Sequence, residues 1–310
     1  MMMNKSKLNF MQRVALEIIY FFCRVIGYAP HWFKYHLLAD TIYLLVYRLF
    51  RYRVKVVDKN LKNSFPEKSE AEIAQIRKGF YRYLSEVAVS TIALAGPSPQ
   101  KSIIDSDEAS AINRLKAETA GRSWVALTAH YGLWEYFMFW AGFADQSLVA
   151  VYHPLENPLF EELFRRLRSH KNVNTVPLKE TIRYCLKNRG GVDGLNYVIG
   201  LIADQNPPRR PNSEWFKFLN QDSIFFDGGE KIALKLQLPV YFVYQRRRGR
   251  GLYELDYELI HDGQEVVEPY EITRRYVEKL ERVINETPQL WLWSHRRWKH
   301  NPKVWRGRKL

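Results

Sequence analysis

The chain has 310 residues, an apolar share of 46% and a charged share of 26%, which excludes a disordered or collagen-like polymer and is long enough to bury a full core. Lys and Arg outnumber Asp and Glu 47 to 33, a net charge of +14; such an excess points to a polyanionic partner, whether nucleic acid, an anionic membrane face or an acidic protein. Cys23 and Cys185 are the two cysteines, too few and too far apart for a disulfide framework, and the histidines and cysteines lack zinc-ligand spacing.

Lys5, Lys7 and Arg13 precede an apolar stretch from Val14 to Tyr28, interrupted by Glu17 and Arg24 and followed by no signal-type cleavage site. A second apolar stretch, His36 to Tyr47, contains Asp40 and runs into Arg48, Arg51 and Arg53. Neither offers about eighteen uninterrupted apolar residues, so neither reads as a transmembrane helix. Large apolar side chains beside cations instead suit helices lying in an anionic bilayer surface, the alternative being core helices of a basic protein. The expected organisation is an N-terminal membrane-associating helical segment over residues 1–55 and a catalytic domain over 56–310.

After Pro66, Ser69-Glu70-Ala71-Glu72 opens a helix with acids in its first turn, running towards Ala95 until Gly96-Pro97-Ser98-Pro99 stops it. From Ser123 the pattern changes. Trp124–Thr128, Leu148–Tyr152, Tyr197–Ala203 and Val240–Tyr244 are short continuous apolar runs of the kind buried on both faces of a sheet. Helical stretches at Leu159–His170, Lys179–Lys187 and Gly229–Leu236 lie between them, and Glu271–Asn285 follows. The fold class is therefore α/β, a single domain with a mostly parallel or mixed central sheet flanked by helices, plus the N-terminal helices. In such sheets ligands bind beyond the carboxyl ends of the strands, here just after Thr128, Tyr152 and Ala203.

Two polar clusters sit at those ends. Ala129-His130-Tyr131-Gly132-Leu133-Trp134-Glu135 follows the first strand. A turn at Gly132 can bring the Glu135 carboxylate to one nitrogen of His130, leaving the other as a base. Asp204-Gln205-Asn206 ends another strand and makes a cleft with the first cluster. No GxSxG elbow, phosphate loop or dinucleotide fingerprint occurs. A base without a covalent nucleophile, metal or cofactor fits direct transfer to a substrate hydroxyl from a donor that brings its own activated group.

These residues resemble the late acyltransferases of lipid A biosynthesis, within the wider glycerolipid acyltransferase superfamily. The likeness is carried by Asp58–Pro66, by the HX4E box from His130 to Glu135, by Ile202–Pro207 followed by Phe225–Glu230, and by Pro288-Gln-Leu-Trp-Leu-Trp-Ser-His-Arg-Arg-Trp-Lys299. The last is the most specific. One departure is Tyr152-His153-Pro154, where the family often has Arg in place of His153. The resemblance implies transfer of a fatty acyl group from acyl carrier protein to a hydroxyl of a lipid A precursor, at the cytoplasmic face of the inner membrane, without cofactor or metal. It implies His130 as base, Glu135 as its partner, Arg168 (with Arg165 and Arg166 close by) facing an anionic substrate group, and Asp204 and Gln205 as substrate-binding residues, Asp204 holding either Arg168 or the acceptor sugar. Backbone amides near Gly132 or Gly228-Gly229 are the candidate oxyanion donors. The alternatives are an acyltransferase of the same fold acting on a lysophospholipid or an amino-acid lipid, and a nucleic-acid-binding protein using Arg246-Arg247-Arg248 and the basic C-terminal block; the apolar N-terminal stretches argue against nucleic acid.

Overall fold

The protein, a computed structural model, is described over residues 8–96, 110–139, 146–207 and 213–299. The expected stop at Pro97–Pro99 and the basic tail from His300 onward lie outside the described residues, as do Lys5 and Lys7.

Each continuous apolar run is a strand. The strands are β1 (Trp124–Thr128), β2 (Ser147–Tyr152), β3 (Val173–Pro177), β4 (Tyr197–Ile202), a small β5–β6 hairpin (Phe216–Phe218 and Gln221–Ser223), β7 (Val240–Gly249) and β8 (Leu252–His261). Apart from β5 and β6 they form one sheet in the order β3-β2-β4-β1-β7-β8, with β1, β2, β3, β4 and β7 parallel and β8 antiparallel on β7. All five residues of central β1 are buried, which is why it carries no polar alternation. The two strands that the apolar runs do not reveal, β3 and β8, are the sheet's edges. They are only partly buried, and edge strands keep polar residues on the wet side. The Arg246–Arg248 run extends β7 well beyond Tyr244 because β8 supplies facing acids: Arg246 meets Asp256 at 2.6 Å and Arg248 pairs with Glu254. Arg247 turns the other way and pairs with Glu86 of the long helix Glu70–Ala93.

The helices are α1 (Phe10–Tyr28), α2 (Ala39–Tyr43, with π-helical turns Phe33–Leu38 and Leu44–Leu49 on either side), α3 (Val54–Ser64), α4 (Glu70–Ala93), α5 (Ala111–Glu118), α6 (Pro158–Leu167), α7 (Thr181–Lys187), α8 (Gly228–Leu236) and α9 (Glu271–Glu286). The acidic start of α4 works as a reciprocal cap: Ser69 Oγ accepts from the Glu72 N–H and the Glu72 carboxylate accepts from the Ser69 N–H. In α9 the residues Ile272, Tyr276, Val277, Leu280, Val283 and Ile284 are buried, the i, i+4, i+5, i+8 stripe of a helix laid on a core.

The N-terminal helices are two-sided. Leu16, Cys23 and Tyr43 join the main core, and Glu17 bridges α1 to Arg166 of α6 at 2.9 Å. Tyr35 is wholly buried; its ring lies over Gly251, where φ is +64° and any Cβ would sit 2.4 Å from that ring, so only glycine fits the turn between β7 and β8. Phe10, Met11, Ile18, Phe21, Phe22, Val25, Trp32, Leu49 and Phe50 of the same segment are all exposed. Among the described residues no helix is long and apolar enough to cross a membrane.

Glu86 of α4 ties these layers together. Its carboxylate is 2% exposed and accepts from Arg247 at 2.8 and 3.2 Å, from the Gly251 N–H at 3.2 Å and from the Tyr253 hydroxyl at 3.3 Å. Glu86→Ala strands the Arg247 guanidinium and two further donors, so it should destabilise the protein by about 3 kcal/mol, read as a lower urea midpoint with an unchanged slope.

Candidate active site

The register of the two central strands builds the site. β1 and β4 are parallel with Thr128 opposite Ile202, so the residues two positions beyond each strand, His130 and Asp204, emerge side by side at the sheet's carboxyl edge. Asp204 Oδ1 lies 2.7 Å from His130 Nδ1, and Asp204 Oδ2 accepts from the His130 N–H at 3.1 Å and from Trp291 Nε1 at 2.8 Å. The carboxylate side chain is 2% exposed and the imidazole 19%. Burial alone would raise the Asp204 carboxyl, but the adjoining imidazole and the hydrogen bonds from His130 and Trp291 outweigh it and hold the carboxyl below its usual range. Asp204 thereby fixes the His130 tautomer with hydrogen on Nδ1 and leaves the Nε2 lone pair facing the cavity. The Gln205 side-chain amide nitrogen lies 3.2 Å from Nε2 and 3.3 Å from Nδ1, placing it beside the ring between its two nitrogens.

The expected His130–Glu135 contact is not formed. Gly132 does turn with φ of +64°, but the chain then enters a 3-10 helix, Trp134–Phe139, which carries Glu135 to the Arg168 side of the cavity. There Arg168 grips it in a bidentate pair, Nε–Oε2 at 3.0 Å and Nη2–Oε1 at 2.5 Å. The expected roles are therefore exchanged: Asp204 holds His130 rather than Arg168 or a sugar, and Glu135 holds Arg168. Of the three neighbouring guanidinia, Arg165 is engaged by Glu162 and Arg166 by Glu17 and Glu162; Arg168 alone lines the cavity. Burial works against its charge, yet Glu135 raises its pKa above the ordinary value, so it is a fixed cation at the cavity wall. Gly132 is not an oxyanion donor, since its N–H is given to the Leu290 carbonyl at 3.1 Å. Gly228 and Gly229, at the N-terminus of α8, line the cavity.

The cavity encloses about 390 Å³. His130, Glu135, Arg168 and Gln205 meet apolar walls from β2, β4 and α6, including Val151, Ile202 and Phe164. His153 also lines it, with its Nδ1 3.0 Å from the Pro154 carbonyl.

Four residues of the C-terminal motif serve the site, although the sequence marks that segment only by resemblance. Trp291 donates to Asp204, and the Leu292 N–H donates to the His130 carbonyl at 3.1 Å. His295, whose imidazole burial pushes down to about 4, stays neutral and lies 3.2 Å from the Asn206 amide. Arg297 is 2% exposed and gives its hydrogen bonds to Asn206 Oδ1 at 3.1 Å and the Ile224 carbonyl at 2.6 Å, and burial lowers it to about 10. No group of His, Cys, Asp and Glu able to hold a metal occurs among the described residues.

A hydrogen-bonded imidazole and carboxylate at the mouth of an apolar cavity, with a clamped cation beside them, is a site for proton transfer to and from a bound hydroxyl or thiol. Comparison with known proteins gives the family. Residues 1–300 match the family described as bacterial lipid A biosynthesis acyltransferase, and the chain belongs to that family. It is an acyltransferase, with an acyl donor and a lipid acceptor as substrates. Among solved structures it is similar to the 1-acyl-sn-glycerophosphate (LPA) acyltransferase PlsC from Thermotoga maritima, at 16% identity and a TM-score of 0.31, covering 91% of this chain and 100% of that one. No curated protein matches.

The exchange of partners is testable by two isosteric variants. Asp204→Asn should lower kcat by about 10²–10³ with the fold kept, whereas Glu135→Gln should act first on KM by loosening Arg168. Steady-state kinetics showing the reverse pattern would restore Glu135 as the partner of His130.

Proposed function

We propose that the protein moves a fatty acyl chain from the thioester of acyl carrier protein to a hydroxyl of a lipid A precursor, at the cytoplasmic face of the inner membrane. The observation that carries the chemistry is the His130–Asp204 pair at the cavity mouth. His130 Nε2 takes the proton of the acceptor hydroxyl as its oxygen attacks the thioester carbonyl. Asp204 stabilises the imidazolium that forms, a contribution of about 10²–10⁴-fold. The tetrahedral intermediate collapses by expelling the thiolate, which receives the proton from His130, so that an ester and a free thiol leave and the enzyme is restored. No acyl-enzyme intermediate is needed.

The electrostatics support an acidic donor and an anionic acceptor. A net +14 attracts acyl carrier protein and the phosphates of a lipid A precursor, and Arg168 offers the cavity a guanidinium suited to phosphate. The apolar outer face of α1 and of the helix through α2, with Arg13, Arg24 and Arg48 along the same segment, supports docking on an anionic leaflet.

Purified protein given acyl carrier protein thioester and separate panels of lipid A precursor, lysophosphatidic acid and amino-acid lipid should acylate the first, and His130→Ala should abolish transfer. Transfer to lysophosphatidic acid alone would replace the proposed acceptor, and transfer to none would reject the reading. For the membrane face, Phe21 and Phe22 are 62% and 57% exposed. Replacing both by Glu should weaken sedimentation with phosphatidylglycerol vesicles at least about tenfold while leaving the melting temperature unchanged.

A further inference from the structure

A second cavity, of about 500 Å³, lies between the N-terminal helices and α4. Ile42, Val46 and Phe50 form one wall, Leu84 and Ala88 of α4 another, and Trp134 and Leu292 close the end. No charged residue lines it, and the Ser85 hydroxyl on its α4 wall is turned into the helix, donating to the Tyr81 carbonyl at 2.8 Å. It is a hydrocarbon compartment.

Its place relative to the chemistry gives it meaning. Trp134 lines this groove and the catalytic cavity alike, and its ring meets the His130 imidazole edge to face at 5.0 Å. Leu292, on the same end wall, holds the His130 carbonyl through its N–H. One side chain therefore separates the groove from the catalytic ring. At the other end the groove reaches Phe50, 71% exposed on the apolar N-terminal face.

We propose that this groove seats the hydrocarbon tail of the acyl donor, running from a carbonyl at His130 past Trp134 between α2 and α4; the proposal rests on the acyl-transfer reading above. The two cavities divide the substrates by chemistry. Glu135, Arg168, Gln205 and Asn206 give the first, beside its apolar walls, contacts for the polar parts of donor and acceptor. The second has only apolar surface to offer, and the reacting thioester must bring a long apolar tail within reach of His130. Residues of the N-terminal segment thus serve chain selection as well as docking.

Two experiments test this. Ala88→Phe fills the groove from α4, and Val46→Phe fills it from the opposite wall. Across saturated acyl thioesters of increasing length, either variant should lower kcat/KM for the longest accepted chain at least about tenfold while sparing short chains. An unchanged length profile in both, or a raised KM for the lipid acceptor with the donor profile unchanged, would overturn the proposal. Photolabelling of the wild-type protein by a fatty acyl thioester carrying a terminal diazirine needs neither turnover nor a variant that folds. Label on the peptides spanning 42–52 or 84–88 supports the groove, and label confined to 151–178 assigns the tail to the catalytic cavity and overturns it. Failure of the wild type to transfer any acyl group would instead strike the proposed reaction, with the labelling still deciding the groove.

Discussion

Two parallel strands in register, β1 and β4, are the constraint from which the site follows. Because Thr128 and Ile202 are paired, the chain must deliver His130 and Asp204 to neighbouring points on the sheet's edge. Parallel ladders buried on both faces slip with difficulty, since a one-residue shift turns every side chain to the wrong face. Here the flanks are further fixed: the Tyr276 hydroxyl donates to the Thr128 carbonyl at 2.8 Å and the Tyr83 hydroxyl to the Gly132 carbonyl at 2.9 Å. The imidazole and carboxylate are therefore held in place before any substrate arrives, the preorganisation that proton transfer in a shielded site requires.

The C-terminal segment completes what the strands begin. It lies against the loop after β1, with Tyr131 bridged to Trp291, and is itself anchored by Asn60 of α3, which donates to the Trp293 and His295 carbonyls at 2.8 and 2.9 Å. The segments that the resemblance picks out at opposite ends of the chain thus meet at one place. Asn60, Trp291 and Arg297 act through the loops that carry His130 and Asp204. Arg297 in particular is buried without a carboxylate in its hydrogen bonds, over the Phe225 ring at 4.4 Å, a costly arrangement that binds the segment to the β5–β6 region and to Asn206.

The N-terminal helices are two-sided. Their inner side is continuous with the core and with the wall of the apolar groove, while their outer side is apolar without a protein partner. α2 and the helical turn that follows it cannot be displaced without opening the groove beside Trp134.

The sequence by itself determined the class and much of the scaffold. The apolar runs marked β1, β2, β4 and β7, because buried parallel strands must be continuously apolar, and Ser69 with Glu72 marked the start of α4, because capping is local chemistry. It also marked His130, Glu135, Asp204 and Gln205 as polar residues beyond the strand ends, and Arg168 by resemblance. It left β3 and β8 unseen, since edge strands share the mixed composition of loops, and it left unspecified which carboxylate serves the imidazole. Glu135 is five residues from His130 and Asp204 is seventy-four away, so spacing favours the first; the pairing of β1 with β4 and the 3-10 turn at Trp134 favour the second. Proximity along the chain is a property of sequence, but proximity across a sheet edge is set by strand order and register, and only the tertiary structure decides those.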